Sequence, residues 1–79
     1  MFANRYMRRN NICGIKVAKL RKSLHISQRE LADRLEGIGL SIDKNAVQRI
    51  ESGQRFVTDI EIIYLAKVFN TTVEKLLDV

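Results

Sequence analysis

Two amphipathic stretches joined by a glycine-bearing turn constrain this chain more than anything else in it. They run from Ser27 to Glu51, SQRELADRLEGIGLSIDKNAVQRIE. In the first, Ser27 and Glu30 have the S-x-x-E spacing of a capping box, in which each side chain satisfies an otherwise unpaired backbone N–H of the other residue. Leu31, Ala32 and Leu35 then line one side of a helix. Ala32 is small, which lets a second helix approach closely. Gly37 and Gly39 end this helix, and Leu40 and Ile42 are apolar anchors in the turn. Asp43 caps the next helix, which extends to Ser52 with Val47 and Ile50 inward and Ala46 beside them. The GxG is not a nucleotide-binding loop, because it follows a helix rather than a strand and no third glycine completes the pattern.

The remaining segments read as partners for this pair. Helix 1 spans residues 12–24, with Ile12, Val17, Leu20 and Leu24 as its apolar stripe and Lys16, Lys19 and Lys22 on the other face. His25 stands where that helix must stop, a position that often needs φ > 0. Gly53 stops helix 3. Thr58 or Asp59 caps helix 4, DIEIIYLAKVF, with Ile62, Leu65, Ala66 and Phe69 inward and Asn70 at its end. Thr71 or Thr72 caps a short helix 5, VEKLLD, where Thr71 and Glu74 have the spacing of a second capping box. No run alternates like a strand and there is no proline. The expected architecture is all-α, a compact five-helix bundle with an extended turn between helices 2 and 3. Seventy-nine residues make one domain, here divided into a basic N-terminal arm at 1–11 and a folded domain at 12–79. Such a small domain buries only about 60% of its unfolded surface.

Charge narrows the functional classes. The net charge is +5, and it is unevenly spread. Residues 1–55 hold twelve Lys/Arg and five Asp/Glu, whereas residues 56–79 hold two and four. One-sided basicity favours a polyanion, either nucleic acid or an anionic membrane. The basic residues lie on several helices rather than on one with a broad apolar face, which disfavours the membrane. Cys13 and His25 are single, so neither an internal disulfide nor an ordinary zinc set is expected. No nucleophile–base pair or paired-carboxylate pocket is visible, so we expect no enzyme, no cofactor and no small-molecule ligand. With no apolar run long enough to span a bilayer and no signal-peptide core, the cytoplasm is the expected location.

Lys44, Asn45, Gln48 and Arg49 face outward together on helix 3. Lys and Arg suit the guanine edge in the major groove, and Asn and Gln suit the adenine edge. Gln28 and Arg29 sit at the start of helix 2, where free N–H groups favour an anion such as phosphate. Gln54 and Arg55 carry the basic run into a loop. Arg5, Arg8 and Arg9 belong to a segment without clear period, read either as a frayed terminus or extra helical turn or as an arm lying along DNA.

The residues LRKSLHISQRELADRL, then KNAVQRIESGQR, then DIEIIYLAKVFNTTVEKLL resemble the Cro/phage-repressor helix-turn-helix family over about residues 14–77. The Leu-Arg pair before helix 2, the S-Q-x-x-L-A opening, the I-E-S-G close of helix 3 and the L-A-K-x-F of helix 4 occur in the family's order. One departure stands out. Typical members separate the paired helices by about four residues, whereas here the interval from Ala32 to Glu51 is several residues longer, with EGIGLSID the place of the insertion, so that either helix 2 gains a turn or the loop bulges. The resemblance implies base-facing roles for Lys44, Asn45 and Arg49, with Gln48 as a further candidate. It implies phosphate contacts from Gln28 and Arg55, and a structural ion pair between Arg21 and Glu51. That pair also makes physical sense alone, since Glu51 lies one turn beyond the inward Val47 and Ile50 and an inward carboxylate needs a fixed partner.

The expected function is a sequence-specific transcriptional regulator, a repressor, that reads double-stranded DNA with helix 3 in the major groove. One small module buries little area on DNA, so a homodimer on a palindrome is expected. Phe56, Val57, Leu76, Leu77 and Val79 are candidates for the dimer surface, although Leu76 is better suited to the core. The alternative is a protein-binding regulatory module, such as an antitoxin-like partner, on the same fold.

Overall fold

The structure is a computed structural model and describes residues 8–78. Arg5 and Val79 lie outside the described residues. Five helices follow in order: α1 (Gly14–Ser23), α2 (Gln28–Gly37), α3 (Lys44–Ser52), α4 (Asp59–Val68) and α5 (Val73–Leu77). No strand occurs among the described residues, and the fold is all-α.

Each helix starts where a side chain takes an orphan N–H. Ser27 Oγ accepts from the Glu30 N–H at 3.0 Å, Asp43 Oδ1 from Ala46 at 2.8 Å, Thr58 Oγ1 from Glu61 at 3.1 Å and Thr72 Oγ1 from Lys75 at 3.2 Å. At α1 the N-cap residue, Cys13, offers no side-chain bond, and Asn11 Oδ1 accepts the Gly14 N–H at 2.8 Å instead. A complete capping box forms only at α4, where Glu61 Oε1 also accepts the Thr58 N–H at 3.2 Å. The reciprocal half expected at α2 is missing because the Glu30 carboxylate pairs with Arg34 one turn on, at 3.1 Å. The Thr71–Glu74 box does not form, since Thr72 is the cap.

Four helices end in one way. His25 (φ 57°), Gly39 (φ 115°), Gly53 (φ 87°) and Asn70 (φ 52°) take left-handed conformations. At each, the next N–H reaches back five residues: Ile26 to Arg21, Leu40 to Leu35, Gln54 to Arg49 and Thr71 to Ala66. The left-handed residue's own N–H bonds the carbonyl three residues back. This is the Schellman motif, which closes the last turn and sends the chain off at an angle. It accounts for the long connection between α2 and α3. Helix α2 continues through Gly37, and Gly39 then turns the chain so that Leu40 and Ile42 return to the core. A Cβ on Gly39 would lie 3.2 Å from the Tyr64 hydroxyl, so the connection rests against α4 instead of bulging into solvent.

The core is built from Cys13 and Val17 of the first segment, Leu31, Ala32 and Leu35 of α2, Val47 and Ile50 of α3, Leu65 and Ala66 of α4, and Leu76 of α5. Helix α3 packs against both α1 and α2, α4 against α2, and α5 against α4 and α1. The apolar stripe expected of helix 1 needs correction. Ile12 and Leu24, assigned to the stripe of α1, are exposed, because that helix is rotated to bury Cys13, Gly14 and Val17. Leu76 is fully buried, in the core place expected to suit it better than the dimer surface. Leu77 and Val57 are partly buried against the core.

Candidate nucleic-acid interface

Helix α3 presents its site residues through simple periodicity. Ala46, Val47 and Ile50 are buried, so the positions between them point away from the bundle. Lys44, Asn45, Gln48 and Arg49 are all exposed. Positions 44 and 48, and 45 and 49, are one turn apart, which puts the four on one face. None of these four side chains is held by a hydrogen bond or ion pair with another described residue. They form a band of donors and acceptors on a helix held at both ends.

The two ends are held differently. At the N-terminus Asp43 caps the helix. At the C-terminus Glu51 is gripped from outside. Arg21 Nε donates to Glu51 Oε2 at 2.7 Å and Arg21 Nη2 to Oε1 at 3.1 Å. Both side chains are largely withdrawn from water, at 13% and 9% exposure, and this two-pronged geometry is the strong form of a carboxylate–guanidinium pair. The hydrogen bond it donates to Glu51 raises the Arg21 pKa above its ordinary value, against the opposing effect of burial. Arg21 also donates to the Ile26 carbonyl at 2.8 Å, tying α3 to the turn before α2.

Gln28 joins the same cluster. Its Nε2 donates to Glu51 Oε1 at 3.1 Å, so the first residue of α2 is oriented by the end of α3. Arg29 is exposed beside it, at the positive end of the α2 dipole. Arg55, in the loop after α3, has a partner that sequence reasoning missed. Its Nη2 donates to Glu61 Oε2 at 2.7 Å, and Glu61 is 9% exposed. Glu61 raises the Arg55 pKa above its ordinary value, chiefly through this hydrogen bond. The T-x-x-E spacing of Thr58 and Glu61 marked Glu61 as a capping residue, and that signal was available in the sequence.

A second group went unread. Asn10 N–H donates to the Gly53 carbonyl at 2.7 Å, and Asn10 Nδ2 to Gln54 at 2.9 Å. Arg9 Nη2 bonds the Glu51 and Ile50 carbonyls at 2.8 and 3.3 Å. Asn11 Nδ2 bonds the Ile50 and Arg55 carbonyls at 3.1 and 2.8 Å. Residues assigned to a free arm thus include three fastened to the end of α3. Arg8 is exposed. Residues 1–7 lie outside the described residues.

The groups assembled here suit a polyanion with readable edges. No cluster of His, Cys, Asp or Glu among the described residues is arranged to hold a metal ion, and no described helix is long and apolar enough to cross a membrane. No curated protein and no solved structure matches the chain. A family model described as helix-turn-helix matches residues 17–76, most of the chain and all of the paired helices. The chain therefore belongs to the Cro/phage-repressor family of helix-turn-helix regulators, and DNA is what such a domain binds.

Proposed function

We propose that this protein is a sequence-specific repressor that lays α3 in the major groove of a palindromic site. The observation that carries this reading is the exposed band of Lys44, Asn45, Gln48 and Arg49 on a helix secured at both ends. In this reading Arg49 and Lys44 address guanine edges, and Asn45 and Gln48 address adenine edges. Gln28, Arg29 and Arg55 hold phosphates and set register without reading sequence. As a regulator of bacterial or phage type it works in the cytoplasm.

The domain acts as a homodimer. Phe56 is 75% exposed, and Ile60 and Ile63, three residues apart on one side of α4, are 61% and 46% exposed. Apolar surface of this kind, set beyond the end of α3, fits a two-fold contact that leaves both copies of α3 facing the same side of DNA. Selection of bound sites from random duplex DNA tests the reading. The expected product is a palindrome with half-site centres about 34 Å apart. Enrichment of no motif, with only salt-sensitive binding to every duplex, would overturn it.

A further inference from the structure

The geometry points to the Arg9–Asn11 segment as a positioning strap for DNA reading: it fastens the C-terminal end of α3 and the following loop so that the base-facing side chains hold one register. This inference rests on the reading that α3 enters the major groove. Helix α3 is only nine residues long, and its last carbonyls lack partners within the helix. The strap supplies six hydrogen bonds, to the carbonyls of Ile50, Glu51, Gly53, Gln54 and Arg55. Its guanidinium also lies at the negative end of the α3 dipole.

Two glycines make room for it. A Cβ on Gly53 would lie 2.7 Å from the Arg9 guanidinium carbon, and one on Gly14 would run into the Ile50 carbonyl oxygen. The strap lies before the residues that the family model matches, which start at residue 17.

Bidentate base contacts tolerate only small displacements of the side chains that make them. Attraction to phosphates falls off slowly and tolerates more. Loosening the end of α3 therefore damages discrimination before it damages general affinity.

The test compares the affinity for the selected duplex with that for a scrambled duplex at fixed salt. Arg9→Lys keeps the charge but loses the guanidinium that reaches the Asn11 carbonyl through Nε while its Nη2 holds the Ile50 and Glu51 carbonyls. Its specificity ratio should fall about tenfold, the size of one lost bidentate contact, with the salt slope unchanged. Asn10→Ala, at an exposed position, removes a single bond and should lower the ratio less, without threatening the fold. Circular dichroism fixes a temperature at which each variant is folded. A purely structural strap would lower the melting temperature and scale both affinities together. An unchanged ratio in both variants overturns the proposal. A wild-type chain with no preference between the duplexes overturns the underlying reading instead, before any variant is made.

Discussion

Glu51 is the residue on which most depends. One carboxylate receives Arg21 from α1 and Gln28 from α2 while sitting on α3. Removing it leaves the Arg21 guanidinium facing a nearly dry gap with only the Ile26 carbonyl as partner. Glu51→Ala should cost about 3 kcal/mol, the low end for breaking a buried pair, read as a lower urea midpoint at constant m. An unchanged midpoint would show the pair to be dispensable. Cys13 makes a different prediction. Burial pushes its thiol from 9.0 up to about 11, so the folded state disfavours the thiolate. Stability should be full below about pH 9 and decline between pH 9 and 11, where the unfolded chain loses this proton first. Replacing Cys13 with Ala would flatten that decline in a series of alkaline melts. At neutral pH the native thiol should react with alkylating reagents far more slowly than the denatured one.

At the scale of elements, helix ends carry the argument. The loop from Gly53 to Thr58 joins α3 to α4, and Arg55 in that loop is pinned by Glu61 of α4. Arg55→Ala therefore does more than delete a phosphate contact. It should lower stability by about 1–3 kcal/mol, since Glu61 stays buried with a single N–H to satisfy it. Adding Glu61→Gln should recover most of that loss, because the amide oxygen keeps the Thr58 bond without the charge. In binding, Arg55→Ala should weaken all duplexes alike and reduce the salt slope by about one. Arg49→Ala should instead lose about 1–3 kcal/mol of discrimination at particular base pairs. If the two variants had the same binding profile, the division between reading and holding would be wrong.

Helix ends were also the most legible part of the chain. Ser27 and Asp43 as starts, and His25, Gly53 and Asn70 as stops, depend on hydrogen bonds and dihedrals within a few residues. Local sequence contains that information, whereas the choices between Thr58 and Asp59 and between Thr71 and Thr72 were made by the structure. The inner face of helix 4, read as Ile62, Leu65, Ala66 and Phe69, left Ile60 and Ile63 off it, and both are exposed. The exposure of Ile12 and Leu24, which flank α1, and the burial of Cys13 between Ile12 and Gly14 were not legible, because they depend on how α1 seats against α3.

At the scale of the whole molecule, the proposed dimer joins two such units through Phe56, Ile60 and Ile63. Ile60→Lys together with Ile63→Lys should leave the melting temperature nearly unchanged, since both side chains already face water. Sedimentation should show monomers, and affinity for a full palindrome should fall by about a hundredfold as the avidity of two linked half-sites is lost. A palindrome bound as tightly as before would place the dimer contact elsewhere. The sequence by itself determined the five helices, the caps of α2 and α3, most of the stops, and the outward band on α3, because each follows from periodicity or from bonds a few residues long. Of what grips that band, the Arg21–Glu51 pair was expected from the sequence, and only the tertiary structure decided the rest. Arg9 meets Glu51, Asn11 meets Arg55 and Gly14 meets Ile50 across some forty positions of chain. Contacts so far apart leave no period or spacing in the sequence, and they exist only once α1 has settled across the end of α3.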